Sequence, residues 1–255
     1  MRCVLLALML LPIPALAADI VPHVATYDVR MVASRSAGGL VHIAGSLDYR
    51  LDRTCEGDWA GAHRFRLRYD YAQEPSVEVA TDTATLETAD GRALDFTSRR
   101  VAGGELVEDV RGRAEGGRAV YVRPPGLAFA LPEGTLLPVA HMRAVLAAAS
   151  AGQKTFSAQV FEGDDARGPR LASAVITPLA DPPAVEGLPP GPAWRVRMAF
   201  FPLGAQDSAP EYEVAATLHP GGVVSAAQVD YPDFSVAQSL THFDRLPDVP
   251  GECYE

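Results

Sequence analysis

Near its C-terminal end the chain reads SLTHFD, which brings Ser239, His242 and Asp244 close together. A hydroxyl, an imidazole and a carboxylate are the parts of a nucleophilic acyl-transfer site, in which the ring takes the hydroxyl proton and the carboxylate orients the ring. That chemistry would belong to a hydrolase or esterase acting on lipid or peptidoglycan. Two features oppose it. No G-x-S-x-G elbow is present to expose the serine beside an oxyanion hole. If the stretch is a strand, the odd spacing of Ser239 and His242 sends them to opposite faces.

A second group of candidates is acidic. FEGDDARG carries Glu162, Asp164 and Asp165, yet lacks the alternating oxygen ligands and terminal glutamate of a calcium loop. It reads as a hairpin turn. The 6 histidines are spread along the chain, and none shares a short metal-binding spacing with another. His63 reads as one of the outward residues of its strand, and His141 as a helix residue among apolar neighbours. There is no H-E-x-x-H and no P-loop, and the glycine pairs lack the spacing of a dinucleotide site. The expectation is therefore no catalytic residue, no metal and no cofactor.

The cysteines carry more information. The chain opens MRCVLLALMLLPIPALAADI, with a basic residue, a short apolar run and Ala15-Leu16-Ala17 in the small-x-small pattern of a cleavage site. Pro12 and Pro14 interrupt the run, which is too short to span a bilayer. Residues 1–17 are expected to be a signal peptide cut after Ala17, delivering residues 18–255 to the periplasm without a transmembrane segment. Cys3 leaves with the leader. Cys55 and Cys253 then meet an oxidising compartment, where a bridge between them is expected over two unpaired thiols. Formal net charge is −10, which excludes bulk attraction to nucleic acid.

The elements that must position these groups are mostly strands. In AHRFRLRYDYA, Phe65, Leu67, Tyr69 and Tyr71 share one face and Arg64, Arg66, Arg68 and Asp70 the other, the period of a half-buried antiparallel strand. The same alternation sets Tyr27, Val29 and Met31 inward, and likewise Leu47, Tyr49 and Leu51. It also sets Trp194, Val196, Met198 and Phe200 inward, then Tyr212, Val214, Ala216 and Leu218. Turn signals separate the runs at Gly38-Gly39, Ala89 to Arg92, Gly103-Gly104, Gly116-Gly117 and Pro220 to Gly222. With no Asn anywhere in the chain, Gly and Asp carry the turns. Many short, evenly spaced strands predict an all-β barrel or sandwich. One segment, LLPVAHMRAVLAAASAGQ, has helical spacing, with Pro138 at its start and Gly152 at its stop. The Pro-rich ADPPAVEGLPPGPAW reads as a long loop within a single domain.

Taken together, GSLDYRLDRTCEGD, LPEGTLLPVAHMRAVLAAASAG, AQVFEGDD, PEYEVAATLHPGGVVSAAQVDYPDFSV and the late cysteine resemble the EipB-type cell-envelope integrity proteins of Gram-negative alphaproteobacteria. The resemblance covers nearly the whole chain after the leader. It implies an open, spiral-like β-barrel of about fourteen antiparallel strands with one main α-helix, similar in outline to the lipoprotein carriers LolA and LolB. It also implies a disulfide between Cys55 and Cys253, a part in envelope integrity and stress resistance, and no enzymatic activity or cofactor. The partner expected is a periplasmic protein, lipid or lipoprotein, bound by a monomer. Phe65, Tyr69, Trp194, Met198 and Tyr212 are candidates to line a cavity for acyl chains, and equally to fill the barrel.

Overall fold

The computed structural model describes residues 19–35, 39–204, 209–248 and 253. The expected signal peptide, with Ala15 and Ala17, lies outside these residues. Fourteen antiparallel strands form one sheet. They are β1 (His23–Ser34), β2 (Leu40–Arg53), β3 (Trp59–Tyr71), β4 (Val77–Glu87), β5 (Ala93–Ala102), β6 (Glu105–Glu115), β7 (Arg118–Arg123) and β8 (Ala128–Ala130). After the helix α1 (Pro138–Ser150) come β9 (Thr155–Val160), β10 (Arg170–Pro178), β11 (Trp194–Pro202), β12 (Tyr212–Leu218), β13 (Val224–Asp230) and β14 (Phe234–Arg245).

The strands pair in the order β8-β7-β6-β5-β4-β3-β2-β1-β14-β13-β12-β11-β10-β9. Two meanders are thus joined through β1 and β14, and the two ends of the sheet are β8 and β9. They do not zip together along a full strand pair. Instead Leu136 makes a short parallel bridge to β9, its N–H donating to the Gln159 carbonyl at 2.8 Å and its carbonyl accepting from Phe161 N–H at 2.9 Å. The sheet coils past itself, so that Phe161 packs on Phe96 of β5, with ring centroids 5.4 Å apart. Coiling this tight needs strands in close approach. At Gly45 of β2 a Cβ would sit 1.9 Å from the Arg66 carbonyl oxygen, so no side chain fits there.

The alternation read from the sequence holds through the register. Tyr27 faces Leu47, Leu47 faces Phe65, and Met198 faces Val214, each pair on the inner side. ADGR forms the β4–β5 turn, and the glycine pairs at 103–104 and 116–117 form the next two. Helix α1 closes one end of the coil. Val139, Val145, Leu146 and Ala149 pack with Leu51, Trp59, Ile176, Trp194 and Leu218 into one apolar cluster. The Trp59 ring lies between the guanidinium groups of Arg53 and Arg143, at 4.6 and 5.1 Å.

The helix start has no local side-chain cap. Its cap comes from a distant strand. Glu87, the last residue of β4 and only 2% exposed, accepts from Val139 N–H at 2.7 Å and Ala140 N–H at 2.9 Å. Burial pushes its carboxyl upward in pKa, and the two N–H donors pull it back. Glu87→Ala leaves both donors buried and unpaired, so a loss of about 2 kcal/mol is expected in the denaturation midpoint. Glu87→Gln keeps an acceptor oxygen and is expected to lose less.

Candidate functional site

Inward-facing side chains on β2, β3 and β4 are less covered than those elsewhere on the inner face. Tyr49, Phe65, Leu67, Tyr69, Thr81 and Thr83 point inward yet are only half-buried. His63 is the clearest case. It lies directly across from Tyr49 and Thr83 on the inner side, with its ring 4.9 Å from that of Tyr49. The protein around it pushes its pKa down to about 4, while its surface stays open. An inward-facing ring that stays exposed stands on an open part of the inner face. This corrects the placement of His63 on the outer face. It shares parity with Phe65 and Tyr69, and period two puts all three on one side.

Of the candidate lining residues, Phe65, Tyr69, Met198 and Tyr212 are half-buried and face the interior. Trp194 is 6% exposed and belongs to the packed cluster around α1. The interior is therefore a packed floor at the helix end with a partly exposed inner face above it. The wall made by β1 and β12–β14 is apolar, with Tyr27, Val29, Val214, Val229 and Val236 in one cluster.

The acidic segment is more than a turn. The loop between β9 and β10 folds onto the inner face of β5–β8, where Tyr121 O–H donates to the Asp165 carbonyl at 3.0 Å. Its carboxylates converge on Arg170, the first residue of β10 and 2% exposed. Arg170 Nε donates to Glu211 at 2.8 Å, and Nη2 donates to Asp165. Nη1 lies 3.4 Å from Asp164 and 3.5 Å from Glu162. Arg167 adds a second contact to Asp165 at 2.7 Å, and Tyr212 O–H donates to Glu162 at 2.9 Å. A guanidinium thus occupies the centre where carboxylates would otherwise gather a cation.

Carboxylates outnumber cations in this group, and the consequences are electrostatic. Burial, with Asp164 adding to it, pushes Glu162 up to about 7. Burial raises Asp164 as well, with Arg170 opposing. Burial disfavours the charge on Arg170, but Asp164 and Asp165 outweigh it, so Arg170 stays charged.

The hydroxyl–imidazole–carboxylate group fares differently. His242 Nε2 lies 2.9 Å from an Asp244 carboxylate oxygen, with the two side chains 59% and 66% exposed. A bulge at Thr241 shifts the register, so Leu240 pairs with Tyr27 while His242 pairs with Thr26. The extra residue resets the parity. Ser239 and His242 therefore share the outer face, contrary to the expectation of opposite faces. Among the described residues Ser239 makes no hydrogen bond to His242, and it lines an outer-face depression with Asp28, Arg30, Ala237 and Thr241. Without that contact the imidazole has no hydroxyl proton to take.

The cysteines are joined: Cys55, in the β2–β3 turn, is bonded to Cys253, with Cα atoms 5.5 Å apart. His141 is buried on α1 beside Phe156, its Nε2 without a partner among the described residues. Burial pushes it down to about 4. His23 and His219 are tied to the Val21 carbonyl and the Ser225 hydroxyl. Arg170, Glu211 and Glu87 were not legible as site residues, because each acts on a partner from a distant element. The phase of β10 gave no signal either, since Arg170 shares its face with Ala172 and Ala174 while the larger Leu171 and Val175 lie outside.

This architecture has known counterparts. Residues 14–247 match the EipB-like family. The chain is 28% identical over 241 residues to the cell envelope integrity protein EipB of Brucella abortus (strain 2308), covering 90% of this chain and 86% of that one. It also superposes on the crystal structure of a β-barrel-like protein of a domain of unknown function from Brucella abortus. That comparison gives a TM-score of 0.82 at 27% identity and covers 90% of this chain and 99% of the other. With the family match running from before β1 to beyond β14, the chain belongs to the EipB-like family.

Proposed function

We propose that this chain is a non-enzymatic periplasmic protein that supports cell-envelope integrity by holding the apolar chain of a lipid or lipoprotein inside its coil. The observation that carries the reading is the lumen. The wall of β1 and β12–β14 is apolar, the inward side chains of β3 and β4 stay half-buried with His63 exposed among them, and α1 packs across the floor. Pockets that are mostly apolar with a few polar groups are the usual form of a binding site. The name of the Brucella EipB relative supplies the link to the envelope. The leader reading supplies the compartment, and residues 18–255 act as one domain and one monomer.

The hydrolase alternative has less support. Its three residues stand on the outer face and are exposed, and its serine is not engaged by its histidine. Native mass spectrometry of protein released without detergent from its own cells tests the proposal. A bound species of lipid mass, lost on organic extraction, is the expected result. Protein that stays empty, even after incubation with vesicles and with lipoprotein, counts against it.

A further inference from the structure

The inner wall carries a polar row at one height. Tyr49 of β2, His63 of β3, Thr83 of β4 and Ser98 of β5 stand directly opposite one another in register, all on the inner side. Thr83 and Ser98 share a hydrogen bond of 3.2 Å, with Ser98 buried behind. The Tyr49 hydroxyl and the His63 ring have no hydrogen-bond partner among the described residues, although both stand where space is open. The rung nearer the helix contains Gly61, where a Cβ would meet the Thr85 hydroxyl at 2.7 Å, so a fourth hydroxyl lies over the neighbouring rung. The rung on the other side returns to Leu47 and Phe65.

Resting on the reading of the lumen as an acyl-chain site, we propose that this row seats the uncharged polar linkage of an acyl ester, with the hydrocarbon lying against the apolar wall. The donor and acceptor set fits such a group. Tyrosine and threonine hydroxyls donate to an ester carbonyl, and a neutral imidazole donates or accepts. A buried polar group that finds partners costs little to enclose, whereas a buried charge without a counterion costs a great deal.

The surroundings exclude a charged head at this depth. Arg100 faces inward but is paired with Glu108 at 2.8 Å, and Arg170 is held by its carboxylates. Glu162 and Asp164 add carboxylates to the same interior. A fatty-acid carboxylate would enter with no free cation to meet it. An ammonium head would find no free carboxylate at the row among the described residues: Glu87, two rungs away on β4, accepts from the helix N–H groups, and the carboxylates of the β9–β10 loop are held by Arg170. The shared chemistry is the acyl ester, which a free glycerolipid and the lipidated N-terminus of a lipoprotein both carry.

The test is a binding titration at pH 8 with monopalmitoylglycerol, palmitate and a diacylated lipopeptide, on the wild-type protein and on His63→Leu. Monopalmitoylglycerol is expected to bind about tenfold more tightly than palmitate. His63→Leu is expected to weaken the ester ligands about tenfold while leaving palmitate and the melting temperature little changed. Equal or tighter binding of palmitate overturns the proposal, as does ester binding that ignores His63→Leu. If the lipopeptide shows the same dependence on His63, the source is lipoprotein. If only the monoglyceride does, it is free lipid; either supports the seat. Should His63→Leu fail to fold, Thr83→Val removes a hydroxyl of the same row and takes its place, with the same loss expected. If none of the three ligands binds, the lumen reading itself fails and the seat goes with it.

Discussion

Arg170→Ala is expected to destabilise the protein by about 3–5 kcal/mol at pH 8, the range for breaking a buried ion group from one side. The cause lies in what the substitution leaves behind. Glu162, Asp164, Asp165 and Glu211 remain around an empty centre, with Arg167, 62% exposed, as the nearest cation. The variant should recover part of its stability on acidification, since protonation removes the repulsion that the guanidinium had compensated.

Glu162 also gives the wild-type chain a pH-dependent contribution to stability. Glu162 titrates near 7 in the folded protein, above the ordinary carboxyl range of the unfolded chain. Between those values the folded state binds more protons than the unfolded state, so stability falls as pH rises through the window. Each unit of displacement is worth about 1.4 kcal/mol. Buried histidines such as His141, pushed down to about 4, tilt stability the other way at the acid end, so the Glu162 contribution is read as a difference: Glu162→Gln should gain stability over wild type at pH 8 and gain less at pH 5.5. An Arg170→Ala variant as stable as wild type at pH 8 would contradict this account of the cluster.

The second large effect belongs to the disulfide. The bond spans 198 residues, and by chain entropy alone closing so long a loop is worth roughly 5 kcal/mol, although measured values are often smaller. Cys55→Ser and Cys253→Ser should lower the melting temperature by equal amounts, and the double variant should add little to either. Two losses that sum would mean that the cysteines act independently. The bond ties the segment beyond β14 to the β2–β3 turn, beside the Trp59 start of β3 and the α1 floor. Among the described residues the seam has one short backbone bridge, at Leu136, and no full strand pair, and a covalent tie between distant parts of the chain limits how far the coil can open.

Local pattern foretold local structure well. Alternation in β1, β2, β3, β11 and β12 gave the inner face, and Pro138 and Gly152 bracketed the helix. Four features escaped for identifiable physical reasons. β10 reverses the usual rule: Ala172 and Ala174 face the core while Leu171 and Val175 lie outside at 37% and 55% exposure. Small residues are needed there because Phe156, Met198 and Phe200 crowd the same space from β9 and β11. The β14 bulge moved His242 to the face of Ser239, and nothing in SLTHFD marks an extra residue. The Glu87 cap and the Arg170 cluster are tertiary, so no window of sequence contains both partners.

The central claim is that an acyl chain lies inside the coil. Diffraction from crystals grown with a monoacylglycerol brominated at its chain end tests it most directly, since bromine gives its own anomalous signal. The account predicts bromine within the lumen against the wall of Met198 and Val214, with the ester beside Tyr49 and His63. Bromine found only on the outer face, such as in the depression beside Asp28 and Ser239, would contradict it, and so would a lumen without bromine at saturating ligand.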